Sequence, residues 1–158
     1  MEFDLTAEQA QVRDLVREFA TEEIAPGASH RDEHEELPLD ILKKLGELGI
    51  CGVPLPDDVG GLGADAVTWA LVIEELGRAD PSVAVTVSVA SGLAGGLVDR
   101  YGTAEQRQRW LPPIAAGEML AGFALTEFFL LRRVYEPRGL ALPEARTAFL
   151  GALARAAA

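Results

Sequence analysis

Apolar positions recur at helical spacing along most of the chain, and capping residues, prolines and glycines divide them into separate rods. Thr6 is placed to cap a first helix, with Gln9 three residues on to complete a capping box. Val12, Leu15, Val16, Phe19 and Ile24 follow at helical spacing and leave Arg13, Asp14, Arg17 and Glu18 to water. Pro26-Gly27 should end this helix, because proline disfavours helical backbone in the residue before it. A nearly wholly charged run, Ser29 to Glu36, leads to Pro38, which is placed to open a second helix. Leu39, Leu42, Leu45 and Leu48 predict its buried face, and Gly49 suits the left-handed position past its end.

From Ile50 to Gly63 prolines and glycines are too dense for regular helix, so the pattern predicts a loop packed through Val53, Leu55 and Leu62. Asp65 can cap a third helix that buries Trp69, Val72, Ile73 and Leu76 and stops at Gly77. Asp80-Pro81 is a cap and first-turn pair for a fourth. From there to Val98 the residues are apolar or small on every side, which predicts a central buried helix. Thr103 and Gln106 repeat the capping-box spacing and open a helix through Arg107, Trp110 and Leu111. Pro112-Pro113 should tighten or break it, and Gly117 closes the segment. Met119 to Thr126 then changes period and reads as a strand. The expectation is an all-α, up-and-down domain of about five helices over residues 1–118, with a short strand start near 119–126.

Composition narrows the function classes. Of 158 residues, 49% are hydrophobic and 25% charged, an ordinary balance for one globular domain. A net charge of −11 disfavours nucleic acid and anionic lipid as partners, since both are bound largely through lysine and arginine. Cys51, the single cysteine, has no internal partner, which suits a reducing cytoplasm. The acidic start, Met1 to Asp4, shows no secretory signal, and the apolar run Pro81 to Val98 falls short of the roughly 20 residues of a spanning helix. A cytoplasmic location without a membrane span is the expectation.

Candidate chemistry is thin. His30 and His34 have helical metal-ligand spacing, but the run between them is charged and no third ligand accompanies them, so no metal site is assigned. Cys51 lacks a basic neighbour to activate its thiol. Gly60-Gly61-Leu62-Gly63 has neither a following lysine nor a preceding strand, and reads as a structural turn rather than a phosphate cradle. Trp69 and Trp110 read as core residues, and the pairs Asp57-Asp58 and Glu74-Glu75 as solvated faces. No catalytic residue emerges from the pattern alone.

Seven motifs, in order, give the chain a resemblance to the acyl-CoA dehydrogenase family. They are Leu5-Thr6-Ala7-Glu8-Gln9, Phe19 to Pro26, Leu45-Gly46-Glu47-Leu48-Gly49, Val53-Pro54 running into Gly60-Gly61-Leu62-Gly63, Glu74-Glu75-Leu76-Gly77-Arg78, Tyr101 to Gln106, and Gly122 to Glu127. The resemblance implies an amino-terminal helical domain, a middle β domain starting at 119–127, and a carboxy-terminal helical domain, with FAD held between them. It implies α,β-dehydrogenation of an acyl-CoA thioester: a glutamate base removes the α-proton, the β-hydrogen leaves as hydride to the flavin, and an electron-transfer acceptor reoxidises it. Phe123, Leu125 and Thr126 are the implied flavin-contacting residues. The Ser82–Val98 helix would border the acyl-chain cavity, with small residues near Ser91, Gly92 and Gly95 setting how much chain fits.

The pattern departs from the family after Thr126-Glu127, where Phe128-Phe129-Leu130-Leu131 replaces the expected proline and Gly-Ala-Gly-Ser-Asp run. No glutamate of this chain matches the catalytic base. The tail 128–158 is rich in Arg, Ala, Leu and Pro; a frameshift or gene fragment is the leading reading of it, and a genuine amphipathic helix from Pro143-Glu144 through Phe149, Leu150 and Leu153 is the competing one. Such a chain is expected to be inactive alone and to associate through apolar surface around Leu120, Phe123 and Leu125. The alternative is a non-catalytic helical interaction module, or one half of a split enzyme.

Overall fold

A computed structural model describes residues 4–122, which belong to one compact unit. The α-helices are α1 (Ala7–Phe19), α2 (Ala28–His34), α3 (Leu39–Glu47), α4 (Ala66–Ala79), α5 (Pro81–Val87), α6 (Gly96–Tyr101) and α7 (Ala104–Ala115). π-helical segments, Ala20–Ile24 and Ser88–Gly95, continue α1 and join α5 to α6. The described residues are therefore helical, as the periodicity predicts, and they group into five rods with loops between them.

The predicted caps form. Thr6 and Gln9, and again Thr103 and Gln106, make reciprocal capping boxes. Asp65 accepts from the Thr68 amide at 2.7 Å, and Asp80 from the Ser82 amide at 2.9 Å. Gly49 has φ +75°, the left-handed backbone that a side chain would strain.

Prolines interrupt less than expected. The first rod does not stop at Pro26-Gly27. The Ala25 amide reaches back to the Ala20 carbonyl and the Ala28 amide to the Ala25 carbonyl, so a wide turn and then a tight one carry the ladder past a residue with no N–H to give. The chain then continues as α2. Pro112 and Pro113 likewise lie inside α7, flanked by buried Leu111, Ile114 and Ala115, whose burial offsets the lost hydrogen bonds. The Pro113 carbonyl accepts the amides of Glu118 and Met119 beyond the helix end.

A main apolar cluster joins Val16, Ile24, Leu42, Leu45, Val72 and Leu76 with residues of α5, and a smaller one joins Leu55, Val59, Leu111, Ile114 and Ala115. Four leucines expected in the core, Leu15, Leu39, Leu48 and Leu62, are exposed, while Ile41 and Gly46 are buried instead. The α3 stripe is thus rotated from the all-leucine row toward Ile41, Leu42 and Leu45. Met119–Gly122 carry no strand, and the remainder of the predicted strand, with the tail 128–158, lies outside the described residues.

Candidate functional site

The rod from Pro81 to Tyr101 runs 21 residues, longer than its apolar run suggests, and by length and composition alone it could cross a membrane. Its packing shows another use of that apolarity. Val83, Ala84, Val87, Ala90, Ser91 and Ala94 lie against the core, with Ser91 only 1% exposed. The opposite face is apolar too: Val85 is 62% exposed, Val89 half-buried and Leu93 44% exposed. The expected fully buried helix is thus a two-faced one. Val85, Val89 and Leu93, four residues apart, form an open apolar strip on a face that water would ordinarily claim for polar residues.

The π-helical segment Ser88–Gly95 sits within this rod, and its small residues explain how the widened turns pack. A methyl group on Gly92 would lie 3.0 Å from the Trp69 indole nitrogen, and one on Gly95 3.1 Å from Leu55 and 3.2 Å from the Ala90 carbonyl. Ser91, Gly92 and Gly95 therefore let Trp69, Leu55 and Ile114 approach from the core side. The sequence reading placed the cavity-lining role near these three; in the fold Ser91 and Gly95 are buried and Gly92 is half-buried against Trp69.

Two ion pairs on buried carboxylates tie elements together, one of them at the rod's start, and sequence reasoning missed both. Asp80 caps α5 with one carboxylate oxygen and receives Arg31 on the other, from Nε at 3.0 Å and Nη2 at 2.9 Å. The Arg31 side chain is 12% exposed and also donates to the Ile24 carbonyl, closing the end of the first π-helical segment. One guanidinium thereby fixes where α2, the π turn and the start of α5 meet. Arg17 makes a two-pronged contact with Glu75, at 2.6 and 3.0 Å, and Glu75 is only 3% exposed. Those hydrogen bonds from Arg17 hold the Glu75 carboxyl below its ordinary range, against the opposing effect of burial. Arg17, Arg31 and Glu75 had all read as solvated. The one available signal was Asp80 itself, a capping carboxylate with an oxygen to spare.

The remaining candidates are His30 and His34, Cys51, the turn from Gly60 to Gly63 and the implied flavin contacts. His30 and His34 stack with centroids 4.1 Å apart, both exposed, and no group of three or more potential metal ligands forms among the described residues. Burial pushes the Cys51 thiol up to about 11, which keeps it protonated and inert near neutrality. Gly60 to Gly63 is a tight turn: the Leu55 carbonyl lies where a side chain on Gly61 would begin. Phe123, Leu125 and Thr126, the implied flavin contacts, lie outside the described residues.

Residues 6–118 match the family model described as acyl-CoA dehydrogenase, N-terminal domain. The chain is 44% identical over 127 residues to the probable acyl-CoA dehydrogenase YngJ of Bacillus subtilis, covering 80% of this chain and 33% of that protein. Its fold is similar to butyryl-CoA dehydrogenase from Megasphaera elsdenii, with TM-score 0.70 and 30% identity over 76% of this chain and 32% of that one. It is also similar to an acyl-CoA dehydrogenase from Bacillus anthracis solved with FAD, with TM-score 0.70 and 32% identity over 75% of this chain and 20% of that one. The chain thus spans about a third of the length of the curated relative.

Proposed function

The chain belongs to the acyl-CoA dehydrogenase family through its amino-terminal helical domain, and on that premise we propose that it forms the apolar wall of an acyl-CoA site in a flavin-dependent dehydrogenation. The observation that carries this reading is the open strip of Val85, Val89 and Leu93 on the Pro81–Tyr101 rod. Acyl chains bind by removal of apolar surface from water, and the aliphatic strip of Val85, Val89 and Leu93 supplies that surface. The Asp80–Arg31 ion pair ties the start of the wall to the first rod, so a bound chain would meet one shape rather than many.

An open cleft between α1 and α3 is rimmed by Glu18, Glu22, Glu23 and Glu47, which would repel a pyrophosphate. FAD is proposed instead at the segment of Phe123, Leu125 and Thr126, where the resemblance puts it. When bound, it supplies a hydride acceptor. The described residues contribute the wall and the exclusion of water; no glutamate among them is assigned as base. An acyl-CoA substrate, an electron-transfer acceptor and a cytoplasmic setting complete the proposal.

A graft tests it. Residues 4–118 would replace the matching segment of the Bacillus subtilis relative, and the purified chimera would be assayed for yellow flavin absorbance and acyl-CoA-dependent dye reduction. Flavin retention with turnover is expected. A folded chimera that holds flavin yet oxidises no acyl-CoA of any chain length would contradict the reading.

A further inference from the structure

The Pro81–Tyr101 rod is not one regular helix. From Ser88 to Gly95 its turns are π-helical, with hydrogen bonds reaching five residues back in place of four. The Gly96 amide that closes the segment lies against the Ser91 carbonyl as well as that of Leu93. Such a segment amounts to one residue let into the regular α-helical ladder. It needs small residues, because the wider turns crowd the backbone and the neighbouring helices. Gly92 lies against the Trp69 indole, and the Ala90 carbonyl is 3.2 Å from where a side chain on Gly95 would begin.

Both ends of the rod are pinned. At the start Asp80 caps α5 and receives Arg31. At the far end Asp99 of α6 receives Arg107 of α7, from Nε at 3.0 Å and Nη2 at 2.8 Å. One extra residue in a regular helix would turn everything beyond it by about 100°, and either ion pair would break. The extra residue therefore has to be taken up between the anchors. We propose that the Ser88–Gly95 segment is a register-keeping device: it stores one residue in excess, and so holds both anchored ends and the Val85, Val89 and Leu93 strip in line. The inference holds whatever ligand meets the strip, and so goes beyond the proposed acyl-CoA site. It makes the segment a place where the rod can lose a residue without turning its core face away.

The test compares single-residue deletions in the full 158-residue chain. Ala90 is 4% exposed, whereas Ala70 of α4 is exposed, so burial alone would make loss of Ala90 the more damaging. The device reverses that order. Deleting Ala90 returns the segment to regular helix and should shift the urea midpoint by less than about 0.5 M. Deleting Ser88 should behave in the same way. Deleting Ala70, in a helix with no widened turn, displaces Glu75 from Arg17 or Trp69 from Gly92. It should lower the midpoint by more than about 1 M or abolish the transition. Thiol labelling reads orientation separately from stability, because Cys51, the single native cysteine, is buried. Leu93→Cys should react rapidly with a water-soluble disulfide and Ala94→Cys slowly, both with and without the Ala90 deletion.

The proposal is overturned if deleting Ala90 and deleting Ser88 each cost as much as deleting Ala70, or if both leave the chain unfolded. It is also overturned if the Ala90 deletion makes Ala94→Cys the fast-reacting position. The two halves of the rod would then have turned relative to each other, and no residue was held in excess. Retained stability with the same labelling order supports it.

Discussion

The two apolar clusters are joined to the rest of the domain by different physics. The main cluster, around α1, α3, α4 and α5, is edged by buried charge: Glu75 takes Arg17, and Asp80 takes Arg31. The smaller cluster under α7 has at its margin only the part-exposed Arg107, paired with Asp99 and Asp58 among the described residues, and depends on close backbone approach. Gly46 of α3 faces the carbonyl of Ala116 so tightly that a side chain there would overlap it. The first arrangement is sensitive to charge and pH, the second to the volume of a single methyl group. Both decide where the Pro81–Tyr101 rod sits, since its start is held by Asp80 and its Gly95 by Leu55 and Ile114.

The largest expected effect is at Asp80. Asp80→Ala removes a helix cap and leaves Arg31 buried without its partner, which should cost about 4 kcal/mol in urea unfolding. Asp80→Asn keeps an oxygen for the Ser82 amide and should cost less. If the two variants are equally stable, the charge of Asp80 contributes nothing beyond capping. Gly46→Ala should cost about 3 kcal/mol, because the new methyl meets backbone that cannot rotate away. A loss below roughly 1 kcal/mol would mean that α3 and the Ala116 turn can separate freely, and the contrast between the clusters would fail.

Glu75 sharpens the comparison through pH. Its folded-state pKa is depressed, so its contribution is fully present above the ordinary carboxylate value of about 4.3 and is lost as pH falls through the lower folded value. Glu75→Gln should therefore cost about 2 kcal/mol near neutrality and progressively less as pH falls below the ordinary carboxylate range. Melts of both proteins across that range would check it. Parallel curves would show that the carboxylate is no more stabilising charged than neutral.

Much of this architecture is legible in the sequence because caps and apolar periodicity act locally. Thr6 with Gln9, Asp65, Asp80 and Thr103 with Gln106 each specify a helix start within a few residues, and all of them form. The missed features depend on residues distant in the chain. Nothing near Arg31 marks it as the partner of a carboxylate 49 positions away, nor Arg17 as the partner of one 58 away. The prolines misled for a related reason: a π turn before Pro26 and burial around Pro112-Pro113 offset local costs that sequence rules count in full. The family resemblance points to the Ser82–Val98 helix as the border of an acyl-chain cavity. Its inward and outward faces could not be separated, because every side of that rod is apolar or small.

The most direct test of the wall uses the grafted enzyme and compares its acyl-chain-length profile with and without Leu93→Trp. Leu93 is already exposed, so the larger ring enters the space in front of the strip and leaves the core untouched. The account predicts that oxidation of long-chain substrates falls sharply while butyryl-CoA is still turned over. An unchanged profile, or an equal loss at every chain length, would contradict the assignment of this face to the acyl chain.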